Sequence, residues 1–255
     1  MPKVEDVLAF LSKKAPVEAK LDFDNVGLLV GRSDRNVGRA LLALDITDEV
    51  IDEAVELGAD LIVSHHPLFF ELKAVSDASW SGSRALRLAE NGIAAICMHT
   101  NLDAAQGGVN DALLAACGCE YTEEFDPETR IGRIGTRPAT TELTVFLAEL
   151  KVALGCRGLR YVDGGRPVHR VAVCGGSGGG ELELAVRVGC DTYITADVKY
   201  DPFLEARHYG INLIDADHFC TENVVVPVLK NWLDEAFPEM ESRISCRHGP
   251  TALFF

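Results

Sequence analysis

The chain has 255 residues, 47% of them hydrophobic and 25% charged, the proportions of a folded globular protein with one large or two smaller domains, which argues against a disordered or fibrous chain. With 24 basic and 39 acidic residues the net charge is −15, and no stretch concentrates Lys and Arg, so the composition weighs against bulk nucleic-acid binding. A phosphorylated substrate would need a metal or a few placed lysines to meet it.

In chain order, Val4, Val7, Leu8 and Leu11 recur at helical spacing before Pro16. Arg39–Asp45 then reads as a buried strand, 47–58 as a helix capped by Thr47 or Asp48 and closed by Gly58, and Leu61–Ser64 as the next strand. A helix over 83–91, ended by Gly92, leads to a strand over Ile93–Met98. Helices follow at 108–117 and about 140–154, then a strand at 170–174, a helix at 181–188, a strand at 191–194, a helix at 202–209, a strand at 211–215 and a long helix from about 219 to 235. Alternating strands and helices imply crossover connections and parallel or mixed sheets. The irregular stretch near 122–130, continuing into RIGRIGTRP, reads as a boundary. The expectation is an α/β protein of two layered domains with mixed sheets: a metal-binding domain of residues 1–125 with 216–255, and a second of 126–215.

The eight cysteines are scattered, mostly in apolar runs, and none forms a C-x-x-C pair, which points to buried reduced thiols and away from a zinc ribbon or thioredoxin-type motif. The N-terminal MPKVEDVLAFLSKK lacks the apolar centre of a signal peptide, and no apolar run approaches ~20 residues. A cytoplasmic protein without membrane association is expected.

The chemistry concentrates where strands end. In parallel α/β sheets ligands bind at the carboxyl ends of strands. The strand Leu61–Val63 runs into Ser64-His65-His66-Pro67, the strand Ile93–Met98 into His99-Thr100-Asn101-Leu102-Asp103, and the strand Ile211–Asp215 into Ala216-Asp217-His218. Glu222 stands four residues after His218, on the same helical face. Imidazole and carboxylate donors suit Zn, Fe, Mn, Co or Ni. His65, His66, Asp103, His218 and Glu222 are too many for one tetrahedral site and suit two metals that share a carboxylate, with water in the remaining positions. The competing reading is three unrelated capping or surface features at three strand ends.

Several stretches together resemble the Nif-three-like family, also called GTP cyclohydrolase I type 2 homologues or dinuclear metal centre proteins. They are Asp24-Asn25-Val26-Gly27-Leu28 with Gly31, Ala59–Leu68, His99–Asp103, Ile194–Tyr200, and Asp215–His218 with Thr221-Glu222. The resemblance spans nearly the whole chain and implies the Nif-three-like fold in its compact form, without the long central insertion of some members. It implies that His65, His66, Asp103, His218 and Glu222 hold two divalent ions per chain, and that His99 stands beside them to orient a ligand or move a proton. The chain departs from the family at Ala196 and Asp217, where glycine is usual, and at Asp201, where histidine is common.

Two further stretches leave alternatives open. The run Cys174-Gly175-Gly176-Ser177-Gly178-Gly179-Gly180 fits neither G-x-G-x-x-G nor a P-loop, and serves either to present N–H groups to an anion or to allow positive φ angles and close packing. Lys199 either meets a substrate phosphate or pairs with Asp197. Arg130, Arg133 and Arg137 read as solvated charge in a linker.

The expected activity is metal-dependent hydrolysis by a bridging water acidified by both ions. The resemblance suggests ring opening of a purine nucleotide such as GTP, hence a small-molecule, phosphorylated substrate. A non-catalytic metal-binding regulatory or scaffold protein is the alternative. The resemblance and the apolar tail Ala252-Leu253-Phe254-Phe255 together suggest a closed homohexamer.

Overall fold

The computed structural model describes residues 1–253; Phe254 and Phe255, on which the tail expectation rests, lie outside them. In chain order the regular elements are α1 (Val4–Lys14), β1 (Gly27–Val30), β2 (Arg39–Ala43), α2 (Asp48–Leu57), β3 (Leu61–Ser64), α3 (Trp80–Glu90), β4 (Ala94–Cys97), α4 (Thr100–Ala104) and α5 (Val109–Ala116). They continue with β5 (Glu120–Glu124), β6 (Arg133–Thr141), α6 (Leu143–Ala153), β7 (Arg160–Val162), β8 (Val168–Val173), α7 (Leu182–Arg187), β9 (Thr192–Thr195), α8 (Tyr200–Tyr209), β10 (Asn212–Asp215), α9 (His218–Glu222), α10 (Val226–Ala236) and β11 (Glu241–Ile244). The fold is mixed α/β with two mixed sheets, as expected. Among the described residues no helix is long and apolar enough to cross a membrane.

The first of two units comprises Met1–Gln106 and Val226–Gly249. Its sheet runs β1-β4-β3-β2-β11, with β2, β3, β4 and β11 parallel and β1 antiparallel on the edge of β4. The uninterrupted apolar runs of β2 to β4 are the signature of strands covered on both faces. On one face Leu41, Ile62 and Ala95 pack against Val50, Ile51 and Ala54 of α2 and Ala85 and Leu88 of α3. Thr47 caps α2 by accepting the Val50 N–H, and Gly58 ends it in the left-handed conformation. Parallel pairing brings the ends of β2, β3 and β4 to one edge. Because β1 is antiparallel, with Gly27 opposite Cys97, the chain just before it arrives at that same edge.

The second unit comprises Gly107–Val225 with the short stretch from Pro250. Its sheet runs β5-β6-β8-β9-β10-β7, and its central strands β8, β9 and β10 are parallel. Phe146 and Leu150 of α6 with Leu113 and Leu114 of α5 cover one face, and Leu182 and Ala185 of α7 with Ala206 of α8 cover the other. Here too the parallel strands deliver their following loops, 174–180, 196–199 and 216–218, to a common edge.

Some elements differ from the sequence expectation. The stretch read as a linker is paired instead: β5 and β6 form an antiparallel pair, and Arg133, expected in solvent, is 1% exposed and donates through Nε to Asp111 at 3.0 Å. The single helix expected from 219 to 235 is broken at Asn223–Val225, and Pro227 sits in the first turn of α10, where its missing N–H costs least.

Candidate metal centre

In the first unit the loops after β3 and β4 gather three imidazoles. The metal-binding nitrogens of His65, His66 and His99 lie within 4.8 Å of one another, and the ring centroids are 5.0 to 5.5 Å apart. His65 is wholly buried, and its Nε2 stands 3.6 Å from an oxygen of Asp103, on the short helix α4 that follows β4.

Each ring is anchored through Nδ1. His65 Nδ1 lies 2.9 Å from the Met98 carbonyl oxygen, His66 Nδ1 2.7 Å from Asp45, and His99 Nδ1 2.8 Å from Asp24. A carbonyl or carboxylate oxygen can only accept, so each Nδ1 carries the hydrogen and the neutral ring has its lone pair on Nε2. That tautomer is the one a metal ligand needs, and backbone carbonyls and carboxylates are the usual anchors of ligating histidines.

The anchors are themselves fixed. Asp24 accepts from the backbone N–H of Thr100 at 3.0 Å and its hydroxyl at 2.5 Å. Burial alone would raise this carboxyl, but the hydrogen bonds from His99 and Thr100 outweigh it and hold the group well below the ordinary carboxylate range. Asp45 is shared between His66 and His248, whose Nε2 is 2.9 Å from its second oxygen. Against the upward pull of burial, the hydrogen bonds from His248 and His66 likewise keep Asp45 ionised far below the usual range.

The second unit repeats the pattern once. His218 opens α9 with its Nδ1 2.7 Å from Asp197 and its Nε2 3.0 Å from Glu222, one helical turn on. Glu222 is buried, whereas His218 and Asp197 are partly exposed. The glycine loop closes over this pair. A Cβ on Gly176, whose φ is +65°, would come 2.1 Å from a Glu222 oxygen and 3.2 Å from His218 Nε2. Gly175, Gly176 and Gly178 give their N–H groups to Asn110, Thr221 and Thr195. Close packing, rather than anion binding, is what these three glycines serve.

The model of the Duf34/NIF3 (NGG1p interacting factor 3) family matches residues 2–249. The chain belongs to that family. A Clostridium perfringens protein named GTP cyclohydrolase 1 type 2 homolog is 36% identical over 229 residues, covering 86% of this chain and 87% of its own. A Streptomyces coelicolor protein of the same name is 35% identical over 261 residues, covering 98% and 89%. Among solved structures, a Bacillus cereus protein related to NIF3 superposes with a TM-score of 0.92 at 23% identity, over 100% of this chain and 99% of that one, which establishes the fold. A Staphylococcus aureus protein superposes with a TM-score of 0.88 at 27% identity, over 100% and 99%.

Within this NIF3 chain, His65, His66, His99 and Asp103 stand together in the first unit, and His218 and Glu222 in the second. Lys199 is exposed at the start of α8, and Asp197, the partner weighed for it, holds His218 instead. The anchors Asp24, Asp45 and Asp197 and the packing of Gly176 on Glu222 were not legible as roles. Asp45 carried a usable signal, because it closes the run Arg39–Asp45 that reads as a buried strand, just as His65 and His99 follow two other such runs. His248 carried none, standing 203 residues from the carboxylate it meets.

Proposed function

We propose that this NIF3-family chain is a cytoplasmic metal-dependent hydrolase in which His65, His66, Asp103, His218 and Glu222 hold two divalent ions such as Zn, Mn or Fe(II). The observation that carries the reading is the common anchoring of His65, His66 and His218 through Nδ1, which prepares Nε2 in each for a metal. The donor set fits: neutral imidazole and carboxylate, no thiolate. Such a pair of ions supplies Lewis acidity and a water acidic enough to attack at neutral pH.

The chain's own residues do the rest. Asp24 holds the hydrogen of His99 on Nδ1, leaving Nε2 to take and return a proton, and its carboxylate stabilises the ring when charged. Lys199, exposed at the start of α8, is the cation offered to a substrate phosphate. The names of the Clostridium and Streptomyces relatives support hydrolytic ring opening of a purine nucleotide such as GTP as the reaction class. The family resemblance supports a closed homohexamer, which light scattering would test, a monomer at micromolar concentration removing it.

The deciding experiment is elemental analysis of the purified or reconstituted protein together with a turnover screen over purine nucleotides. Two ions per chain and hydrolysis that disappears in His99→Ala, with the metal retained, are expected. One ion at saturation would overturn the dinuclear reading. Two ions without turnover of any substrate would leave the non-catalytic metal-binding role.

A further inference from the structure

Two large exposed apolar side chains lie together beside His99. Phe23 is 66% exposed and Phe70 55% exposed. Their ring centroids are 6.1 Å apart with the planes tilted by 53°, and the Phe70 ring is 5.8 Å from that of His99. Single exposed hydrophobic side chains are ordinary on protein surfaces, but two neighbouring rings contributed by different loops are held there only if both loops are held.

They are. Asp24, the residue after Phe23, is tied to His99 and Thr100, and its carbonyl accepts from Lys20 Nζ at 2.8 Å. The Asn25 side chain donates to the carbonyl of Phe69, the residue before Phe70, at 2.9 Å. The frame that orients His99 therefore also presents the two rings, and side chains so placed lose little freedom when a ligand arrives. Trp80, as exposed as Phe23, differs: the Arg84 guanidinium lies 3.9 Å from its ring centroid, so its face is already used within the fold.

We propose that Phe23 and Phe70 form a stacking site that sets a planar heteroaromatic ring beside His99. The proposal rests on the hydrolase reading, because it names the part of the substrate held next to the proton-transfer histidine. Tilted rings suit the purpose, one offering its face and the other its edge. Phenyl groups carry no hydrogen-bonding atoms, so this site recognises flatness and size rather than a particular base. A protein partner is the poorer occupant, since two phenylalanines bury about 300–500 Å² between them, against about 800 Å² per partner in a stable interface.

The test is calorimetric titration of zinc-loaded protein with guanosine monophosphate, cytidine monophosphate, nicotinamide mononucleotide and ribose 5-phosphate. The ring-bearing ligands should bind at least about tenfold more tightly than ribose 5-phosphate, and Phe23→Ala and Phe70→Ala should each weaken them by about tenfold while leaving ribose 5-phosphate unchanged. Phe70→Trp, which preserves an aromatic face, should keep the preference. Zinc content should be the same in all variants.

The proposal is overturned if no ring-bearing ligand exceeds ribose 5-phosphate, or if the alanine variants bind the rings as the parent does. It is equally overturned if those variants change only the sedimentation of the protein, which would make the pair a contact between copies. Repeating the titration on chelator-treated protein separates the two readings. A ring preference without any zinc capacity would remove the hydrolase reading and keep the stacking site.

Discussion

The two sets of candidate ligands are built to different standards of rigidity. In the first unit, His65 is anchored on a backbone carbonyl, and His66 and His99 on carboxylates that each hold a second partner. In the second unit, His218 hangs from Asp197, whose side chain is 53% exposed and whose φ of +51° places it in a conformation that few residues other than glycine adopt readily. A histidine whose anchor is itself held by a second partner meets an ion with little further ordering, whereas one anchored on the 53%-exposed Asp197 has more freedom to lose. On this contrast the first set should dominate affinity and the second should set exchange.

Removing a ligand outright breaks the contrast most severely. His66→Ala and Glu222→Ala should each lower metal affinity by more than about 100-fold, beyond the range of anchor substitutions, as measured by competition with a chromogenic chelator. If either variant binds both ions as the parent does, that residue is not a ligand.

Substituting anchors tests the contrast itself. Asp45→Asn and Asp197→Asn should fall within the ~10–100-fold range, with Asp45→Asn at the upper end because His66 and His248 lose their shared partner together. Equal effects would remove the ranking of the two units, and a larger one at Asp197 would reverse it.

The anchors also carry a pH signature. Asp24 and Asp45 are held below their unfolded value of about 3.9, so the stability they contribute is complete above that value and is lost as the pH falls below it toward their folded values. Metal-free protein should therefore show a falling thermal midpoint as pH drops through about 4, and Asp24→Asn should flatten that fall. A midpoint as acid-sensitive in Asp24→Asn as in the parent would discount the anchor's role.

The smallest effect concerns Asp217, which has a φ of +68° and caps α9 by accepting the Cys220 N–H. Replacing a capping side chain by glycine costs only a few tenths of a kcal/mol, while relief of a positive-φ backbone is worth about 1 kcal/mol. Asp217→Gly should thus be neutral to stabilising by up to about 1 kcal/mol in denaturant unfolding. A loss larger than that would show that the Asp217 carboxylate does more than cap the helix.

What the sequence by itself determined is the set of strand ends and their cargo. The apolar runs behind His65, His99 and Asp215 are long enough to be buried strands whatever they pack against, and the spacing of His218 and Glu222 is a property of any helix. β5 escaped because an edge strand of sequence EYTEE has no apolar face to reveal it, β6 because the glycine and proline of RIGTRPATT read as a linker, and Arg133 looked solvated because its burial depends on Asp111, 22 residues away. Only the tertiary structure decided which carboxylates anchor which histidines. Those pairings join residues up to 203 positions apart through parallel strands aligned at one sheet edge, and strand order, unlike strand content, is fixed by packing that no local pattern records.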